Sequence, residues 1–331
     1  MAGEFSLGLI LVLFLVLAAE FVNGWTDAPN AIATVVSTRV LSPSKAVLLA
    51  TLLNIAGALS GTAVAATIGK GIVESSVINL ATIGAAMVAI VSWSTFAWRL
   101  GLPTSETHAL VSGLAGAGLA TAGPDVLLWA GWQKVLIGLA FSTFLGFFGG
   151  LLIILSIYWS CRRAARSRVR KLFGKLQILS AAFMAFGHGS NDGQKFIGVF
   201  TLALVLGGVL PEFRVSLEVI LLCSIVMGIG TSVGGWRIIK TMGMKMVKLE
   251  PYQGFAAETG AAAVIQIASA FGIPLSTTHT INTAIMGVGS AKRFSAVRWG
   301  VVRQVVLAWI LTFPVCAAIS WLIATIFQNI F

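Results

Sequence analysis

Two short polar stretches lie inside an otherwise apolar chain, and they carry residue types suited to binding ions. Residues 23–31 contain Asp27 and Asn30, and residues 187–195 contain Asn191 and Asp192. Gly or Pro stands beside these side chains, and both residues interrupt helices and free backbone carbonyls. Such carbonyls can join carboxylate and amide oxygens around a hard cation or a proton. The stretches therefore predict a cation site. Capping of half-helices by the Asp side chains is the alternative, and the two roles can coexist.

A second pair of stretches, 103–108 and 274–279, combines Pro and His with several hydroxyl residues. Pro favours the first turn of a helix, and Ser or Thr caps its free N–H groups, which together make an anion site. The hydroxyl residues that we expect to bind a tetrahedral oxyanion are Thr104, Ser105, Thr107, Ser276, Thr277 and Thr278. Glu106 interrupts this pattern where the second stretch has Thr277, so we expect it protonated, bound to a cation or turned away.

The spacing of the paired stretches indicates an internal duplication. Asp192 follows Asp27 by 165 positions and His279 follows His108 by 171, about half of the 331 residues. Duplicated, interrupted polar segments in a membrane protein are typical of a transport site at the interface between repeats. We predict a first transmembrane repeat at 1–160, a basic connector at 161–175 and a second repeat at 176–331.

The composition places most of the chain in lipid. Hydrophobic residues make up 57% and charged residues 10%, with a mean hydropathy of +0.95, whereas soluble domains carry about 25% charged residues. Runs of membrane-spanning length lie at 7–22, 46–68, 77–98, 135–159, 216–233 and 304–327, and shorter or interrupted runs at 109–122, 177–186, 196–210, 255–273 and 280–290. The predicted fold is an all-α polytopic membrane protein with two inverted-topology repeats, broken helices and re-entrant hairpin-like segments.

The net charge of +11 reflects membrane topology rather than a nucleic-acid partner. The basic residues of the connector are Arg162, Arg163, Arg166, Arg168, Arg170, Lys171 and Lys175. Cytoplasmic loops collect Lys and Arg, so we place the connector in the cytoplasm and, with five crossings per half, both termini outside. This topology puts 18 basic residues inside and 3 outside. It also inverts the second repeat in a multi-pass protein of the cell (inner) membrane. Contact with anionic lipid headgroups or with a cytosolic partner is an alternative role for the connector.

Ionisable residues at membrane depth are costly and are functional by default. Besides the two Asp residues, the carboxylates predicted at membrane depth are Glu20, Glu106 and Glu258. Four residues are candidates for proton coupling because they can take up protons: Glu20, Glu258, His108 and His279. The histidines can equally act as hydrogen bonders between helices. The three cysteines lack metal-ligand spacing, and we expect no cofactor beyond a coupling ion, H+ or Na+.

The paired stretches resemble the signatures of a known family. They read Gly24-Trp25-Thr26-Asp27-Ala28-Pro29-Asn30-Ala31 with Gly189-Ser190-Asn191-Asp192-Gly193-Gln194-Lys195, and Pro103 to His108 with Pro274 to His279. The chain resembles the inorganic phosphate transporter (Pit) family over essentially its whole length. The resemblance implies a secondary transporter that carries phosphate with protons or sodium, usually as a homodimer. It implies cation ligands at Asp27, Asn30, Asn191 and Asp192, with sodium at the two Asp residues if sodium is coupled. Phosphate ligands would lie among the hydroxyl residues and Gln194.

Departures from the family pattern bear on the coupling ion. Thr26 stands where the signature usually has Asn, and Asn54 stands where sodium-coupled members carry Glu, while the counterpart Glu258 is kept. With His188 and a short connector, the chain looks most like the low-affinity bacterial branch. That similarity implies proton coupling in preference to sodium, and possible transport of a metal–phosphate complex.

Several alternatives stay open at this stage. Lys195 can neutralise Asp192 structurally or attract the anion. A sulfate or other oxyanion permease on the same scaffold would keep the mechanism and change the cargo. An intramembrane hydrolase would need a Ser and a His in direct contact, and two identical half-sites do not suit an enzyme. A membrane scaffold without transport would not need paired buried carboxylates.

Overall fold

The fold consists of α-helices in the part of the chain that the structure, a computed structural model, describes, residues 6–330. The helices are α1 Leu7–Ser37, α2 Pro43–Ala58, α3 Ala63–Gly71, α4 Leu80–Leu100, α5 Glu106–Ala122, α6 Trp129–Ser160, α7 Arg166–His188, α8 Gln194–Leu206, α9 Leu217–Val233, α10 Trp236–Lys240, α11 Pro251–Ala270, α12 Thr277–Ser290 and α13 Trp299–Ile330. Within residues 6–330 the extended backbone pairs only in an isolated bridge between Val73 and Leu127.

Among residues 6–330, four helices, α1, α4, α6 and α13, are long and apolar enough to cross a membrane. Two further candidate spans are bent. Helices α2 and α3 meet at 68°, and α9 meets the segment Trp236–Met246 at 58°. The predicted run 46–68 is therefore two helices joined by a bend. These features confirm the prediction of an all-α polytopic membrane protein with broken helices.

The prediction that Gly and Pro break the first helix is wrong, because α1 continues through Pro29 to Ser37. Pro29 deprives the Trp25 carbonyl of its usual partner four residues on. Gly235 packs against this turn so closely that a Cβ on it would lie 2.9 Å from the Trp25 oxygen. A single missing hydrogen bond is tolerated where other segments enclose the helix. Asp27 therefore projects from a continuous helix.

The matching stretch in the second half is a local distortion of one long helical path. Helix α7 passes into a π-helical turn, Gly189–Gly193, and then directly into α8. Such turns insert one extra residue into a helix and are frequent at functional sites. The turn carries Asn191 and Asp192, so the second carboxylate lies where the helix is irregular. The matching Asp residues of the two halves thus lie on different backbone conformations, an α-helix for Asp27 and a π-helical turn for Asp192.

The helices pack in pairs that repeat when the two halves are exchanged. Helix α5 packs on α13 as α12 packs on α6, α1 packs on α9 as α7 packs on α2, and α4 packs on α1 as α11 packs on α7. At the crossing of α2 and α7, a Cβ on Gly57 would lie 2.1 Å from the Phe186 carbonyl oxygen, and one on Gly189 would lie 2.1 Å from the Asn54 oxygen. Close crossings at small residues are typical of membrane helices.

The outer surface of the protein carries apolar side chains along two helices and basic side chains on the connector. Large apolar side chains are exposed along α6 and α13, among them Phe144, Phe148 and Ile310, which suits contact with lipid. The basic connector is helical from Arg166 onward, so most of it forms the first turns of α7 rather than a loop. Its seven Arg and Lys residues are all exposed.

Candidate functional site

The hydroxyl-rich stretches begin two buried helices. Ser105 is the N-cap of α5, and its Oγ accepts the His108 backbone N–H at 3.3 Å. Ser276 caps α12 in the same way, with its Oγ accepting the His279 N–H at 3.1 Å. The predicted caps are confirmed. Each Ser thus contacts the backbone of the His three residues on, and each helix presents its N-terminus, which favours anions, to the protein interior.

The two helix N-termini meet. Thr107 Oγ1 donates to the Leu275 carbonyl at 2.8 Å, and the rings of His108 and His279 lie edge to face at 4.5 Å. His279 also stacks on Trp309 at 3.7 Å. The hydroxyl residues of the two halves are therefore neighbours, as the duplicated sequence predicted.

Asp192 lies beside the N-terminus of α12 and contacts three polar side chains. It forms an ion pair with Lys195, accepts the Thr277 hydroxyl at 2.7 Å, and faces His188 Nε2 at 3.3 Å. The side chains of Asp192 and Lys195 are buried. A buried carboxylate persists in an apolar region only when it is paired and hydrogen-bonded. Lys195 meets that need for Asp192.

Asp27 approaches the same place from α1. Its two oxygens accept the Thr278 hydroxyl at 3.3 and 3.4 Å. Asn30, one turn further along α1, donates through Nδ2 to the hydroxyls of Thr277 at 3.2 Å and Thr278 at 3.0 Å. Of the predicted cation ligands, Asp27, Asn30 and Asp192 are thus brought together by the first residues of α12.

Lys195 bridges the two hydroxyl stretches. Its Nζ donates to Thr107 Oγ1 at 2.6 Å and to the Leu275 carbonyl at 3.0 Å, in addition to its pair with Asp192. Lys195 occupies the position that matches Asn30, three residues after the Asp of its own half. One half therefore supplies a neutral amide where the other supplies a cation. A compact ammonium is suited to anions as a point charge.

Two predicted ligands point elsewhere. Asn191 donates to Ser269 Oγ at 3.0 Å and to the Ile273 carbonyl at 3.2 Å. Gln194 accepts the Val64 N–H at 3.0 Å and donates to the Ser190 carbonyl at 2.7 Å. Gln194 lines a polar cleft of about 320 Å³ together with Ser60, Gly61, Ala63, Phe186, Ser190, Gln266, Ser269 and Ala270. Thr104 is buried before α5.

The three predicted glutamates occupy separate buried positions. Glu106 accepts the hydroxyls of Thr26 at 3.0 Å and Ser94 at 2.9 Å, so its charge is directed to hydroxyl donors of α1 and α4. Glu20 accepts the Asn23 amide at 2.9 Å.

Glu258 accepts more side-chain hydrogen bonds than Glu20 or Glu106. It accepts the hydroxyls of Thr34 and Ser180, and Gln177 Nε2 at 3.1 Å. These donors come from α1 and α7, so Glu258 connects α11 to both halves.

His188 received no role from the sequence, yet its imidazole lies within the cluster. Single ligand atoms of Asp27, His188 and Asp192 all lie within 4.8 Å of one another. The signal that could have found His188 is its spacing: it precedes Asp192 by four residues, which places both on one face of a helix.

The chain belongs to the phosphate transporter family, because models of that family match residues 23–167 and 160–320. It is 44% identical over 322 residues to the "Probable low-affinity inorganic phosphate transporter" of Rhizobium meliloti, covering 97% of this chain and 96% of the relative. It is 36% identical over 325 residues to the Bacillus subtilis protein of the same description, covering 97% and 98%.

A solved structure has the same fold. "The sodium-dependent phosphate transporter" superposes with a TM-score of 0.89, covers 98% of this chain and 100% of its own, and is 24% identical. The family match and the relatives confirm the suspected family, and the solved structure confirms the membrane fold.

Proposed function

We propose that this protein is a secondary active transporter that imports inorganic phosphate together with a cation, with protons favoured over sodium. The observation that carries the proposal is the meeting of two buried helix N-termini, α5 and α12, beside the carboxylates of Asp27 and Asp192. Membership of the phosphate transporter family and the relatives described as phosphate transporters support the same cargo. A site of this form binds an anion and a cation side by side.

The proposed phosphate ligands are the hydroxyl residues at the two helix starts. They are Thr104, Ser105, Thr107, Ser276, Thr277 and Thr278, and Gln194 would have to turn from Val64 and Ser190 to join them. Lys195 adds a positive charge that Asp192 balances, so the anion meets a cation whose charge is already offset. A balanced Lys attracts phosphate without holding it too tightly for release.

The proposed cation ligands are Asp27, Asn30, Asn191 and Asp192. Asp27, Asn30 and Asp192 share contacts with Thr277 and Thr278. A cation bound by these three residues would therefore attract an anion bound to the same two hydroxyls. Neutralising two carboxylates beside an anion site strengthens anion binding, and this coupling is reciprocal. Asn191 would have to turn from Ser269 to join them.

Proton coupling is favoured because the chain offers several buried groups that can take up protons. Glu20, Glu258, His108 and His279 are all buried. Thr26 and Asn54 replace ligands that the sodium-coupled pattern supplies. We propose Glu258 as the leading proton carrier, since its three donors come from helices of both halves.

The proposed setting is the cell (inner) membrane, with both termini outside, the basic connector in the cytoplasm and the second half inverted relative to the first. The basic residues exposed on the connector support this orientation. The helix pairs that recur on exchanging the halves support two related repeats. The chain is proposed to act as a homodimer and as a transporter rather than an enzyme.

Uptake of labelled phosphate into proteoliposomes tests the proposal. An inward proton gradient alone should drive uptake, and a sodium gradient alone should not. Uptake that requires sodium and ignores the proton gradient would remove proton coupling while leaving phosphate transport intact. A tenfold excess of sulfate should leave uptake unchanged; strong competition would instead favour a general oxyanion permease. Liposomes with protein but no uptake under either gradient would contradict transport itself.

A further inference from the structure

The carboxyl group of Glu106 belongs to the first turn of α5, between two of the proposed phosphate ligands. Ser105 caps this helix, and Thr107 accepts Lys195 Nζ at 2.6 Å. Glu106 is buried, and among residues 6–330 no Lys, Arg or His forms an ion pair with it. A buried charge without a partner is strongly unfavourable. Glu106 therefore needs a proton to become neutral.

The hydrogen bonds around Glu106 suit it both with and without a proton. Ser94 donates to Oε2 at 2.9 Å. Thr26 Oγ1 lies 3.0 Å from Glu106 Oε1 and 2.8 Å from the Val22 carbonyl oxygen, but a hydroxyl has a single hydrogen. In the ionised state that hydrogen points to Oε1. In the protonated state Oε1 donates to Thr26, whose own hydrogen then points to the Val22 carbonyl. A proton can thus bind or leave while the heavy atoms keep their partners.

The charges around Glu106 favour its neutral form. Other titratable side chains act on it electrostatically from four elements: Glu20 and Asp27 on α1, Asp192 on the π-helical turn, Lys195 on α8 and Cys316 on α13. If every carboxyl group is ionised, four carboxylates face a single ammonium before any anion enters. A bound phosphate adds further negative charge, so it increases the advantage of a protonated Glu106.

An ionised Glu106 would also compete with phosphate for one helix N-terminus. The N-terminus of a helix favours negative charge, and this effect falls off within the first turn. Glu106 is the first residue of α5, so its carboxylate would occupy the positive end on which the proposed anion site depends. A neutral carboxyl leaves that end to phosphate. Proton binding and phosphate binding therefore strengthen each other, and the coupling is reciprocal.

We propose that Glu106 is a proton-binding residue that determines phosphate affinity, so that phosphate binds together with a proton on this carboxyl. The proton comes from the water on the side where phosphate is loaded and returns to water where phosphate is released. A protonated Glu106 also supplies an O–H donor, as Thr277 does at the matching position of the second half. The inference rests on the proposed function and deepens it, because it adds to Glu258 a proton-binding group at the anion site itself.

The test is phosphate binding to the purified full-length protein in detergent, measured by calorimetry from about pH 5 to about pH 9, which covers ordinary and buried glutamates. Phosphate itself exchanges protons in this range, so the ratio of variant to parent affinity is compared at each pH. Glu106→Gln keeps the shape of the side chain and cannot ionise. It should bind phosphate as the parent does at low pH and about 5- to 150-fold more tightly at high pH, the usual size of a coupling between two sites.

The matched control is Glu212→Gln at an exposed position, whose affinity ratio should stay near one at every pH. Infrared titration without phosphate follows the proton directly: at low pH the C=O band of protonated carboxyl groups should be weaker in Glu106→Gln than in the parent. Size-exclusion profiles report folding, and Glu106→Thr replaces Glu106→Gln if the latter does not fold.

A folded Glu106 variant whose affinity ratio does not change with pH, or which keeps the full carboxyl band, overturns the inference. A parent that binds no phosphate at any pH instead overturns the proposed function. The infrared titration still decides in that case whether Glu106 takes up a proton.

Discussion

At the scale of single residues, Asp27 and Asp192 share their surroundings but differ in how their charge is balanced. Asp192 has Lys195 as a partner, while Asp27 has the hydroxyl of Thr278 at more than 3.2 Å. We therefore expect Asp27 to respond more strongly to a bound cation. The asymmetry follows from the matched position three residues later, where one half has Asn30 and the other has Lys195.

Asp27→Asn and Asp192→Asn should each reduce coupled phosphate uptake to the level of empty liposomes, while the protein still folds. An amide keeps the shape of the side chain but cannot neutralise a cation. Asp125→Asn is the matched control, because Asp125 is exposed on a short 3-10 turn, and it should transport as the parent does. Near-normal uptake by either buried variant would remove that residue from the cation site.

Lys195→Met should destabilise the protein by about 3–5 kcal/mol, because it leaves the buried Asp192 carboxylate without its partner. Adding Asp192→Asn in the same chain should restore part of that loss, since no uncompensated charge then remains. Thermal unfolding in detergent measures both effects, with Lys134→Met at an exposed position as the control. If Lys195→Met unfolds at the temperature of the parent, the ion pair does not contribute to stability.

Much of this site could be predicted from residue types, but not which way each side chain turns. The paired stretches singled out Asp27, Asp192 and the hydroxyls of α12, and the structure places these side chains in hydrogen-bond contact. Asn191 was expected beside Asp192, yet the π-helical turn rotates it towards Ser269. The sequence marks the Gly residues of that turn but does not reveal the extra residue per turn that they allow.

At the scale of elements, two helices can cross with their backbones in direct contact only where glycine leaves no side chain between them. Gly57 on α2 and Gly189 after α7 face each other's helices, and a methyl group on either would overlap a carbonyl oxygen. By contrast, Gly174 lies in α7 with nothing within 4 Å of its added Cβ. Replacing each of these glycines by Ala therefore compares the same added methyl group in crowded and in open surroundings.

Gly57→Ala and Gly189→Ala should each destabilise the fold by about 1–3 kcal/mol, the usual cost of overpacking. Gly174→Ala should stabilise it by up to about 1 kcal/mol, because Ala favours the helix. Thermal unfolding of the three variants in one detergent gives the comparison. Equal melting temperatures for Gly57→Ala and Gly174→Ala would show that the crossing can relax at no cost.

Element boundaries were harder to predict than element type. The apolar runs identified the long helices, but 7–22 extends to Ser37 because Pro29 is accommodated within α1. Apolar character does not reveal whether neighbouring segments will enclose a proline turn, which is a tertiary effect.

At the scale of the whole molecule, the charge distribution predicts one orientation in the membrane. Cysteine introduced at Arg166, on the exposed connector, should react with an impermeant maleimide only after the cytoplasmic face is opened. Cysteine at Lys70 or Arg214 should react in intact cells. The three native cysteines are first replaced by Ser, and uptake is checked in that background. Labelling of all three positions from the same side would contradict the inverted topology.

The long-range contacts of Asp27 have a consequence for biosynthesis. Its hydroxyl partner Thr278 lies 251 residues later in the chain, so at about 5–20 residues per second a ribosome needs roughly 10–50 s to supply it. During that interval α1 must reside in the bilayer with its carboxylate lacking the native partner. The apolar residues that precede Asp27 must therefore secure insertion unaided. Shortening that apolar run should cause the nascent chain to be degraded before the second half is made.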